Sequence, residues 1–217
     1  MITKNKFMSN KSSIFWNVDT QEDFIDQAGK LYVKGAEEIR PVLKQITEFA
    51  KKEGIRVINT CDYHHINSNE LSSVPNFETS FPQHCLAGTS GADFISETLP
   101  ESPLLIDWDH EMAIFAEFDD PDRFRNIVIR KDAFDVFAGN PHAEKVVRIL
   151  HPEQVFVYGV STNVCVDKAV IGLIERGIKV YVFKDAIKEL PNLPLPFEEW
   201  KSKGVEMIAF TDIMKYL

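Results

Sequence analysis

The chain has 217 residues, 44% of them hydrophobic and 26% charged, an ordinary balance for a water-soluble globular chain and enough for one continuous core. Thirty-three acidic against 24 basic residues give a net charge of −9, which argues against nucleic acid or an anionic membrane as a partner. Three cysteines (Cys61, Cys85, Cys165) with no paired spacing argue against a disulfide framework and for a reducing compartment, so a cytoplasmic location is expected.

Residues 1–12 are polar and lysine-bearing, lack the apolar core of a signal peptide, and read as a flexible extension to a single domain spanning 1–217. No run approaches the ~20 apolar residues of a membrane span. Short apolar, β-branched or aromatic runs then recur along the chain. Ser13–Val18, Arg56–Thr60, Asn126–Arg130, Gln154–Tyr158, Lys179–Phe183 and Glu206–Phe210 each read as a strand buried on both faces. Leu104–Ile106 and Ala113–Ala116 are weaker strand patterns. Between them lie helical patterns over Pro41–Lys52, His142–Leu150 and Cys165–Arg176, the first and last stopped by Gly54 and Gly177. Strands alternating with helices predict an α/β fold: a three-layer α/β/α, Rossmann-like domain with a mostly parallel central sheet. The stretch from His64 to Pro103 is too long for a plain connector and reads as a functional excursion, whereas Pro191–Pro196 reads as a loop.

Ligands of open α/β sheets sit outside the carboxyl ends of the strands, so polar residues there are candidate site residues. Asp19, Asp62 and Lys131 each follow a strand, and Cys165 follows the next one after a small-residue bend, in the first turn of a helix. Unpaired N–H groups at a helix start favour a thiolate and can hold an oxyanion. Each residue alone also fits a dull role: a turn cap, a solvated strand end, a core thiol. Their coincidence at one edge points instead to a base, a cation and a nucleophile. A second constellation, Asp62-Tyr63-His64 with a distant His84, has the spacing of a weak metal-ligand signal.

Three segments resemble the isochorismatase-like cysteine hydrolases, and within them the nicotinamidase (pyrazinamidase) branch. Val18-Asp19-Thr20-Gln21-Glu22-Asp23-Phe24 is similar to the opening D-x-Q-x-D-F motif of that family. Arg130-Lys131-Asp132-Ala133-Phe134 is similar to its lysine segment, and Gly159-Val160-Ser161-Thr162-Asn163-Val164-Cys165-Val166 to its G-V-x-T-x-x-C-V nucleophile motif. The resemblance implies a triad of Asp19, Lys131 and Cys165. It also implies a cis peptide between Val160 and Ser161, aiming the Ser161 and Cys165 N–H groups at one point as an oxyanion hole.

Pro82-Gln83-His84-Cys85-Leu86-Ala87-Gly88-Thr89-Ser90-Gly91-Ala92 resembles the nicotinamidase segment P-x-H-C-x-x-G-T-x-G-A. By that likeness Asp62, His64 and His84 fall at metal-ligand positions, and Glu70 where many nicotinamidases have a further His or Glu. The implied cofactor is a divalent metal, zinc first, with manganese or iron also suited to these donors. His65 reads as a spectator, and Cys61 and Cys85 as packing. Phe24 and Phe81 match substrate-pocket positions, and Phe134 and Phe137 are further candidates. The implied activity is hydrolysis of a small-molecule amide, nicotinamide first, through a Cys165 thioester, by a homo-oligomer without nucleic-acid or membrane partners. The alternatives are hydrolysis of another small amide or of a ureido or carbamoyl compound, isochorismatase-type cleavage of a vinyl ether, or a silent binding module.

Overall fold

The computed structural model describes residues 13–110 and 124–217; the strand pattern at Ala113–Ala116 and the expected extension over residues 1–12 lie outside them. Seven strands form one sheet: β1 (Ser13–Val18), β2 (Arg56–Asp62), β3 (Leu104–Ile106), β4 (Asn126–Lys131), β5 (Gln154–Val160), β6 (Lys179–Lys188) and β7 (Glu206–Ile208). Their spatial order is β3-β4-β2-β1-β5-β6-β7, and every neighbouring pair is parallel. All six residues of β1 are buried, as a central strand covered on both faces requires.

Successive residues of β1 serve opposite layers. Phe15 stacks with Phe49 of α2 (Arg40–Glu53), and Trp16 meets Phe137 of α3 (Val136–Gly139). The layer on the Trp16 side is completed by α4 (Ala143–Leu150) and α5 (Cys165–Glu175), whose apolar stripes are buried. Phe15, Phe156 and Phe183 form an edge-to-face and stacked cluster across β1, β5 and β6. Helix α2 has Pro41 in its first turn and ends at Gly54 in the left-handed conformation (φ 69°), as its sequence pattern predicts.

Strand boundaries differ from the sequence reading in a way that builds the site. β2 runs on to Asp62 and β4 to Lys131, and Asp62 is the register partner of Lys131. β6 runs five residues beyond the expected Phe183, to Lys188, across a register shift beside Val157 and Gly159. β7 ends at Ile208, short of the expected Phe210, because the Phe210 N–H turns to the Asp185 carboxylate and starts a 3-10 turn. Two short helices, α1 (Glu22–Ile25) and α6 (Phe197–Ser202), carry too few turns to show a sequence period.

Candidate active site

The carboxyl ends of β1, β2, β4 and β5 converge, and each delivers one reactive side chain. Val18 pairs with both Thr60 and Gly159, so Asp19 emerges level with Cys61 and Val160. Asp19 sits in left-handed backbone (φ 49°), fully buried, and accepts a hydrogen bond from Thr60 Oγ1 at 2.6 Å. Lys131 Nζ lies 2.9 Å from Asp19 Oδ2, donates to Asp62 Oδ1, and stands 4.0 Å from Cys165 Sγ. Carboxylate oxygens of Asp19 and Asp62 and the Cys165 sulfur all lie within 4.8 Å of one another.

Cys165 is the first residue of α5, so its N–H has no intrahelical acceptor. The Val160–Ser161 peptide just upstream is cis. Gly159 has φ 119°, and a Cβ there would lie 2.0 Å from the Val18 carbonyl oxygen. Only glycine lets β5 press against β1 at this point and turn into the bend.

Burial and charge set the protonation states. Burial opposes the Lys131 charge, but Asp19 and Asp62 hold its ammonium well above the ordinary lysine value. Burial also raises Asp62, yet Lys131 and the facing His64 and His84 rings outweigh it and hold the carboxyl well below the usual range. Asp19 goes the other way: burial and the neighbouring Asp62 charge raise it against Lys131 and the Thr60 bond. Two carboxyls on one ammonium are thus driven apart, one a fixed anion and the other a proton carrier. Burial pushes the Cys165 thiol well up, with Lys131 opposing, so the group rests as a thiol and any reaction of its sulfur needs an acceptor for the proton. That differs from the thiolate a helix start alone would favour: burial of the sulfur outweighs it.

Asp62 also belongs to a second cluster. One ligand atom each from Asp62, His64, Glu70 and His84 falls within 4.8 Å of the others, and all four residues are buried. His84 Nδ1 donates to the Pro82 carbonyl at 2.7 Å, which leaves Nε2 as the ring nitrogen turned to the cluster. Nε2 of His84 and of His64 lie 3.4 and 3.8 Å from Asp62 Oδ2. His64 Nε2 and Asp62 Oδ2 are buried without a hydrogen-bond partner, which marks a gap shaped for a ligand rather than a closed polar network. Two imidazoles and two carboxylates form a donor set suited to a divalent cation. The other clusters of potential ligands suit one less: the triad contains the Lys131 ammonium, and Asp107, Asp109 and His110 are partly exposed, with Asp107 paired to Arg130.

Phe24, Phe81 and Phe134 wall the space over Cys165, Asp62 and His84, together with Leu31, Val33, Val164 and Leu190. The cavity measures about 10 Å³, room for one water at most. Phe137 does not reach it: its ring packs beneath the Arg176 guanidinium, 3.5 Å from the ring centroid, and against Trp16. His65 is half exposed and turned to Asp109 and Trp108, whereas Cys61 and Cys85 are buried.

Several supporting residues escaped the sequence reading. Gln21, fully buried, accepts from the Asp62 N–H and donates to the Asp62 and Ala92 carbonyls, each at 2.8 Å. Asp23 accepts from the Cys85 and Lys30 N–H groups at 2.7 and 3.1 Å, bracing the His84 loop. Asn163 clamps Leu190, accepting from its N–H at 3.0 Å and donating to its carbonyl at 2.9 Å. Gln21 and Asp23 lie in the opening motif and Asn163 in the cysteine motif, so proximity to the triad was the available signal.

The fold is a parallel α/β sheet with a buried acid, cation and thiol gathered at its strand ends. Residues 13–209 match the isochorismatase domain model, and the chain belongs to the isochorismatase family of hydrolases. A nicotinamidase from Escherichia coli is 24% identical over 90% of this chain and 93% of its own length. The crystal structure of a pyrazinamidase of Pyrococcus horikoshii in complex with zinc superposes with a TM-score of 0.70, at 24% identity, covering 92% of this chain and 99% of that one. An N-carbamoylsarcosine amidase from Thermoplasma acidophilum has a TM-score of 0.69 at 17% identity, covering 91% and 96% of the two chains.

Proposed function

We propose that the protein is a metal-assisted amidohydrolase that converts nicotinamide and water to nicotinate and ammonia through a Cys165 thioester. The reading is carried by one observation: the Lys131–Asp62 pair joins the thiol, its proton acceptor and a four-ligand cluster beneath one aromatic-walled cavity. The nicotinamidase and pyrazinamidase relatives support the same substrate class.

Asp19, the carboxyl held above its usual range, takes the proton of Cys165, and Lys131 keeps the two anions in place. The sulfur attacks the amide carbon, and the oxyanion accepts from the Ser161 and Cys165 N–H groups, a contribution of ~3 kcal/mol per donor. Ammonia departs with the proton from Asp19, which then removes a proton from the water that hydrolyses the thioester. Asp62, His64, Glu70 and His84 would hold zinc, with manganese or iron as acceptable substitutes. When bound, the cation supplies a Lewis-acid site for the pyridine nitrogen and so orients the substrate. Phe24, Phe81 and Phe134 offer the aromatic faces a flat heterocycle stacks on. The pocket must open for it, because the resting cavity is smaller than a pyridine ring.

The structural likeness to an N-carbamoylsarcosine amidase keeps ureido and carbamoyl compounds as a second reading. An ammonia-release assay over nicotinamide, pyrazinamide and N-carbamoyl compounds, with and without chelator, separates the two. Nicotinamide turnover abolished by chelator and restored by zinc is the expected result; turnover confined to carbamoyl compounds and insensitive to chelator would overturn it.

A further inference from the structure

We infer that Asp132 is a positioning residue for the metal cluster, acting through His64. The inference rests on the proposed metal site and extends it to a side chain outside the four ligands.

His64 Nδ1 lies 3.0 Å from Asp132 Oδ1, and a carboxylate oxygen can only accept there, so the ring carries its proton on Nδ1. Nε2 then faces Asp62 Oδ2 without a hydrogen-bond partner, and it is the ring nitrogen at which a cation would take the place of a proton. Of the two neutral tautomers, the contact therefore selects the one that offers Nε2 to the cluster, and it fixes the plane of the ring.

The carboxylate is itself braced. Ser68 Oγ donates to the same oxygen while accepting from the His65 N–H at 2.9 Å, and the Asp132 N–H bonds the Gly139 carbonyl at 3.0 Å. A Cβ on Gly139 would fall 2.6 Å from the Ala133 nitrogen, so the turn after β4 closes this tightly only with glycine there. Neighbouring residues at the end of β4 thus serve the two halves of the site: Lys131 ties the triad to Asp62, and Asp132 ties down His64. An outer carboxylate of this kind typically contributes about 10–100-fold to metal affinity.

The test is zinc affinity of the chelator-stripped full chain, by competition with a chromophoric chelator at fixed pH, plus the visible spectrum of the cobalt-substituted protein. Wild type, Asp132→Asn, Asp132→Ala, Ser68→Ala and His64→Ala are compared, with the thermal midpoint of each metal-free variant recorded. Asp132→Asn and Asp132→Ala are expected to weaken zinc by about 10–100-fold and to shift the cobalt bands. Ser68→Ala should move both readouts the same way by less, which keeps a result in hand if an Asp132 variant folds poorly. Wild-type affinity and an unchanged cobalt spectrum in folded Asp132 variants would overturn the inference while leaving the metal site standing. Wild-type zinc binding no tighter than that of His64→Ala would overturn the metal site, and this inference with it.

Discussion

At the scale of single residues, the site is governed by one buried cation between two buried carboxylates. Lys131→Met would leave Asp19 and Asp62 facing each other without a counter-charge. We expect turnover to fall by roughly 10³-fold or more, and stability to drop by about 3–5 kcal/mol, less whatever protonation of Asp19 recovers. Steady-state kinetics and denaturant unfolding measure both. A second expectation concerns pH. In the metal-free protein, burial works against the His64 charge, but the pull of the Asp62 carboxylate, with Glu70 and Asp132 behind it, raises it from 6.5 to about 9. The folded state then binds a proton the unfolded state has lost, so this contribution is fully present below pH 6.5 and disappears as pH rises through 9. The stability difference between metal-free wild type and His64→Gln should shrink across that window; a difference that grows would contradict the assignment. Asp19, Lys131, Cys165 and the His-bearing spacings were legible in the sequence because each falls in a motif or at a strand end. The double duty of Asp62 was not, since it depends on strand register: a residue read at a strand end and as a metal ligand is also the direct partner of Lys131.

At the scale of elements, the geometry rests on close approaches that tolerate no side chain. Gly159→Ala would put a methyl 2.0 Å from the Val18 carbonyl, in left-handed backbone, at the point where β5 turns toward Cys165. We expect loss of soluble protein, or destabilisation of about 3 kcal/mol or more together with loss of activity. Gly91 is a milder case. A Cβ there would lie 2.2 Å from an Asp23 carboxylate oxygen and push aside the brace of the Cys85 N–H. Gly91→Ala should therefore loosen the His84 loop and weaken metal binding more than it lowers the melting temperature of the metal-free chain. Calorimetry with and without zinc reads both. The six strong strand patterns and the three long helices were legible because a fully apolar run or two helical turns makes a period. The ends of β2, β4 and β6 were not: polar Asp62, Lys131 and Lys188 are held in the ladder by neighbours rather than by their own preference.

At the scale of the whole molecule, the parallel order β3-β4-β2-β1-β5-β6-β7 brings residues from distant parts of the chain to one rim. Strands alternating with helices made that architecture legible in the sequence. The narrow pocket was not, because its size depends on how Phe24, Phe81, Phe134 and Leu190 meet across four separate segments. Among the described residues no helix is long and apolar enough to cross a membrane. In the proposed reaction a thiol, an acid and a cation act on an amide carbon beside a metal cluster. Ammonia release from nicotinamide by wild type and by Cys165→Ala tests this, with the acyl adduct sought by intact-mass spectrometry after rapid acid quench. We expect turnover by wild type, a nicotinoyl adduct on Cys165, and neither in a folded Cys165→Ala variant. Ammonia release by Cys165→Ala at the wild-type rate would contradict it.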